Sequence, residues 1–183
     1  DNECALPLID LLERNGIDYR MRQMEMTFFS HRIVSDLTCV LRLAIDPYDT
    51  EAFLQVYYKL GTYIKKADAQ HIAELSRQRH MPVLDAALEC GRLNAHALAG
   101  TKTLRTHLRN MLNERADKAL YRITEYLGYA DYLTRSGING ENKLAILRTL
   151  ASREASPATF LARMEALQKI IQQKETNPDC QIY

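Results

Sequence analysis

Glycine and proline are scarce in this chain: seven and five among 183 residues. So few breakers leave room for few turns and favour long elements. A membrane span is also missing, since no apolar run approaches the ~20 residues needed to cross a bilayer. The start, DNECALPL, has neither the basic-then-apolar layout of a secretory leader nor an initiator Met. It reads as a piece cut from something longer. Charge of one sign is not in excess. The net charge of +1 announces no nucleic-acid partner through a global field, so any such contact must come from a local patch. Cys4, Cys39, Cys90 and Cys180 are far apart and form no Cys-x-x-Cys. That pattern fits reduced, structural cysteines in a cytoplasmic protein rather than a disulfide frame or a zinc site. Repeats and low-complexity segments are lacking too.

What is present is helical periodicity. Hydrophobic residues make up 46% and charged residues 26%, a balance that reads as one soluble, globular domain with a real core. Ile33, Leu37, Val40, Leu41 and Ala44 recur at helical spacing. Ser30 is the expected cap of that helix and Asp46-Pro47 its end. Asp49 or Thr50 caps a helix carrying Ala52, Phe53, Val56 and Tyr57. Another runs from about Ala67 to Arg79, and Pro82 suits the first turn of a short helix reaching Leu88. Leu104 through Leu127 reads as the longest stripe, closed by Gly128. Asn139-Gly140 is a turn before a helix with Leu144, Leu147 and Leu150. Ser156-Pro157 opens the last helix. Two stretches read as strand, Asp18 to Arg22 and Gln181 to Tyr183. The expected class is mainly α, with short extended segments near the two termini.

The order of motifs from Gly16 to Lys66 carries a resemblance. Gly16-Ile17-Asp18-Tyr19 is followed by Phe28-Phe29, a helix ending at Asp46-Pro47-Tyr48-Asp49, a second helix, and then Tyr57-Tyr58-Lys59-Leu60-Gly61-Thr62-Tyr63-Ile64-Lys65-Lys66. Later come Leu127-Gly128-Tyr129 with Tyr132-Leu133, and Glu141-Asn142 with Leu144. Upstream, Asn2-Glu3 and Leu6-Pro7-Leu8-Ile9-Asp10 fit the end of a motor-domain motif and the helix after it. This series resembles the UvrD/Rep/PcrA-like group of superfamily 1 DNA helicases, at the point where the second RecA-like motor domain passes into its inserted helical 2B subdomain. Residues 67 to 120 match by helical character alone.

The resemblance implies a layout: residues 1–22 as motor-domain flank, 23–176 as the helical 2B region, and 177–183 as a return strand beside Tyr19 to Arg22. It also implies a role. The chain would contact duplex DNA at a duplex–single-strand junction and regulate unwinding in a repair or replication helicase, docked on the remainder of that helicase chain. ATP and magnesium would belong to the parent. The chain has no phosphate loop, since Gly100-Thr101-Lys102-Thr103 is a near miss that reads as a helix-initiating loop. The chain itself is therefore expected to need no cofactor and to be no enzyme.

In the family an Arg-Gly-Ile-Gly turn presents backbone N–H groups to a phosphate. Here Thr62-Tyr63-Ile64 occupy the Gly-Ile-Gly positions and only Gly61 remains, one step early. The expected DNA contacts are Lys59, Gly61, Thr62, Tyr63, Lys65 and Lys66. The alternative is a solvated loop that carries lysines. Lys102, Arg105 and Arg109, on one helix face, form a weaker basic candidate. Arg115, Lys118 and Arg122 are diluted by Glu114, Asp117 and Glu125. Tyr129 and Tyr132 read as packing residues before stacking ones. Asp68 and His71 have ligand-compatible spacing without a second pair to complete a metal site. His31, His80, His96 and His107 are placed on separate elements. The rival reading is a helical docking module for protein partners that makes no DNA contact. A stand-alone all-α enzyme is the third class, disfavoured by the absent motifs.

Overall fold

The computed structural model describes residues 2–20 and 27–176. Among them are eleven α-helices and no strand. A 3₁₀ turn, Asn2–Ala5, leads into α1 (Leu6–Arg14). Then come α2 (Thr27–Ser30), α3 (Arg32–Ile45), α4 (Thr50–Val56), α5 (Lys66–Arg79), α6 (Val83–Glu89) and α7 (Ala95–Met111). The chain continues through α8 (Ala116–Tyr121), α9 (Tyr129–Arg135), α10 (Glu141–Ala151) and α11 (Pro157–Thr176).

The mainly helical class follows the periodicity. α3 is the axis of the molecule. It buries residues nearly all round, from Ile33 and Val34 to Leu43 and Ala44, and packs against α2, α4, α7, α10 and α11. Helices α4 to α7 each pack on the next, as short connections require.

Several ends lie where the caps predict. Asp49 Oδ1 accepts from Ala52 N at 2.9 Å at the start of α4. Ser156 Oγ accepts from Thr159 N at 3.2 Å at the start of α11. Gly128 adopts φ +80°, where a side chain would be strained.

Other expectations need correction. His31, not Ser30, caps α3, its Nδ1 accepting from Ile33 N at 3.2 Å. Pro82 is the cap of α6 rather than part of its first turn. The stripe from Leu104 to Leu127 is not one helix. α7 ends at Met111, Arg115 is extended, and α8 runs into a π-helical turn at Arg122–Tyr126. Gly100 lies inside α7, which Asn94 caps, not in a loop. Residues 18–20 are not strand. Residues 21–22 and Gln181 to Tyr183, with their expected pairing, fall outside the described residues.

Candidate nucleic-acid interface

The segment between α4 and α5 is held from three sides. Its 3₁₀ turn, Tyr57–Lys59, turns Lys59 inward. Lys59 Nζ lies 2.5 Å from Asp36 Oδ1, and the two side chains are 4% and 1% exposed. The Tyr129 hydroxyl donates to the other Asp36 oxygen at 2.8 Å. Burial, then the Asp36 charge and this hydrogen bond, push the Tyr129 phenol far above its ordinary range. A buried carboxylate so supplied has its charge and its lone pairs answered.

Gly61 N donates to Leu127 O at 3.0 Å, and Thr62 N to Leu60 O at 2.6 Å, a three-residue turn about Gly61. The buried Thr62 hydroxyl donates to Tyr57 O at 2.7 Å and accepts from Ile64 N at 3.5 Å. On the far side, a Cβ on Gly100 would meet Gly61 O at 2.4 Å and the Thr62 backbone near 3 Å. Glycine is therefore required at position 100 for α7 to seat the turn. Sequence spacing shows the glycine but not its partner.

The expected contact residues accordingly separate. Lys59 and Thr62 belong to the interior, so neither meets a phosphate; the partner that draws Lys59 inward, Asp36, lies on α3, where local sequence does not reveal it. Gly61 is exposed, yet its N–H is engaged, as are those of Thr62 and Ile64. Tyr63, Lys65 and Lys66 stay at the surface. Lys65 precedes α5 in extended backbone, and no side chain caps that helix end. Asp68 is the one acidic residue of its first turn. Tyr63 has φ +54°, a conformation costly for a residue with a Cβ. Its ring centroid is 3.9 Å from that of His96, tilted 42°.

Lys102 and Arg109 are exposed, while Arg105 reaches Asp85 at 2.6 Å. At about 100° per residue, Lys102 and Arg109 lie about 200° and 180° round α7 from Gly100. They do not join the lysine turn in one patch. Arg115 and Arg122 are paired with Asp117 and Glu114. Tyr129 and Tyr132 are buried. His96 and His107, expected on separate elements, share α7. Among the described residues no group of three side chains could hold a metal ion, and no helix is long and apolar enough to cross a membrane. Cys4, Cys39 and Cys90 are free thiols.

No protein-family model matches this chain, and no curated protein or solved structure matches it either.

Proposed function

We propose that the chain is the 2B-type helical region of a UvrD/Rep/PcrA-like DNA helicase, and that it holds duplex DNA by its phosphates at the start of α5. The order of motifs from Gly16 to Lys66 supports the family. One observation carries the DNA reading: Lys65 and Lys66 are exposed beside a helix start that no side chain caps. Two ammonium groups and the positive end of a helix favour an anion together, against the single charge of Asp68.

The grip differs from a glycine turn. Three of the turn's amides are engaged internally, so the contacts are ionic and come from the two lysine side chains. In this reading ATP, magnesium and hydrolysis belong to motor domains outside the chain, and the chain regulates unwinding by docking on them.

The test is a salt titration of duplex binding. Two phosphate contacts give a log–log slope of about −1.8, and affinity at the weak end of the ~10⁻⁴–10⁻⁶ M non-specific range. K65E/K66E should abolish that slope while leaving the fold intact. A second reading, a helical docking module for a protein partner, is favoured by the withdrawal of Lys59 and three amides from solvent. Unchanged duplex affinity and slope in K65E/K66E would select it.

A further inference from the structure

Two aromatic–histidine pairs stand on one edge of α7. His96 and His107 are 11 residues apart, which places them about 16 Å apart along the axis and within about 20° of the same direction. Gly100, which seats the lysine turn, lies between them on that edge. At one end Tyr63 covers His96. At the other, the ring of Tyr126 is 6.0 Å from that of His107 and tilted 31° to it, while Tyr121 meets Tyr126 edge-on at 5.7 Å. Tyr63, Tyr121 and Tyr126 are each more than half exposed. Tyr48 and Tyr58 are as exposed, so it is the grouping of these three rings about α7, not exposure alone, that sets them apart.

We propose that these rings, which flank the turn seated on Gly100, form a stacking track for unpaired bases of single-stranded DNA, entered at Lys65 and Lys66. It rests on the DNA reading above and adds the strand form and the base contacts. At a stacked rise of about 3.4 Å per nucleotide, 16 Å accommodates about five. Tyr63 and Tyr126 stand exposed at the two ends, the second with the Arg122 guanidinium 5.9 Å from its ring centroid, and base–aromatic stacking tolerates any sequence.

The local charges permit it. Arg122 is bound to Glu114 and donates to His107 Nδ1 at 2.8 Å. Burial, then the nearby Arg122 charge, holds His107 below its ordinary pKa. Glu125 is paired with Arg148 at 3.4 Å. Glu114 and Glu125 thus have cationic partners, which leaves the charge of Asp68 at the entrance against those of Lys65 and Lys66. The strained backbone of Tyr63 points the same way, because glycine would fit that φ and only the ring is gained by tyrosine.

That strain supplies a clean variant. Y63G removes the ring and suits the backbone, so the fold should hold. The 183-residue chain is titrated with a labelled short oligothymidylate, an abasic oligomer of equal length, and a blunt duplex. The expected result is oligothymidylate binding tighter than abasic binding. It should fall about tenfold in Y63G and further in Y63G/Y126A, while Y126F restores the second step. Blunt-duplex affinity should stay unchanged throughout. Equal affinity for oligothymidylate and abasic oligomer, or Y63G/Y126A binding like wild type, overturns the track but leaves the duplex reading standing. Loss of all DNA binding by the wild-type chain overturns both.

Discussion

Asp36 and Asp10 are the two most deeply buried carboxylates among the described residues, and they are neutralised in opposite ways. Asp36 meets one lysine and one tyrosine, and the lysine is itself sealed from water. Asp10 is fully buried too, but its partners are three arginines, Arg14, Arg153 and Arg163, each open to solvent along part of its length. Arg14 also binds Glu154, and Arg153 donates to Pro7 O at 2.7 Å. The first site fixes the turn before α5 against α3 and α9. The second clasps α1 to α11 and to the chain just before it. Exposure of the partner, rather than burial of the carboxylate, sets how replaceable each interaction is. A sealed partner has no substitute, whereas water and two other guanidiniums can cover the loss of one arginine.

The strongest way to break this contrast is K59M. It leaves Asp36 buried without its cation and should cost about 3–5 kcal/mol in urea unfolding, whereas D36L/K59M should recover much of that loss. A K59M chain as stable as wild type would show that water reaches Asp36. Next is G100A. A methyl 2.4 Å from the Gly61 carbonyl oxygen must push α7 from the turn, at about 1–3 kcal/mol, which thermal unfolding would detect. R153A should cost less, about 1 kcal/mol after allowance for solvent at its guanidinium. A loss equal to that of K59M would erase the distinction between the two sites.

The mildest test titrates the wild-type chain. At Asp10, burial raises the pKa, but hydrogen bonds from Arg153, Arg163 and Arg14 outweigh it and hold the carboxyl below its ordinary 3.8. Its contribution is present above that value and is lost as pH falls through the lowered one. Tyr129 is shifted the other way, above its ordinary 10.0. Its contribution is complete below pH 10 and declines above, where the unfolded chain ionises first. The clasp should therefore weaken in acid and the turn in alkali. Urea midpoints against pH should show both limbs, with Y129F flattening the alkaline one in part, since Tyr19 and Tyr57 shift in the same direction.

Helix existence was legible from apolar spacing, and most ends from Asp49, Gly128, Asn139-Gly140 and Ser156-Pro157. Two failures have physical causes. The break after Met111 has no glycine or proline to mark it, and apolar spacing stays helical on both sides. It is made by a distant partner, Ala116 N donating to Glu154 O. Lys59 looked like its neighbours Lys65 and Lys66 because nothing local distinguishes a lysine that will find Asp36. Tyr63 could be named from sequence, but its pairing with His96 could not, since the two meet only where α7 crosses the turn.

The π-helical turn at Arg122–Tyr126 has a further meaning, as a spacer. Leu127 N reaches back five residues to Arg122 O, one more than an α-helix allows, so the turn carries a surplus residue. That surplus resets the phase of the chain. Before it Ala116, Ala119 and Leu120 face the core, within it Ile123 does, and after it Leu127 and Tyr129 do so as well. Excising one residue would rotate everything downstream by about 100° and draw it back about 1.5 Å. The carbonyl that receives Gly61 and the phenol that reaches Asp36 would both swing away. The length of this one turn thus works as a ruler, keeping α9 in register with a segment more than sixty residues earlier in the chain.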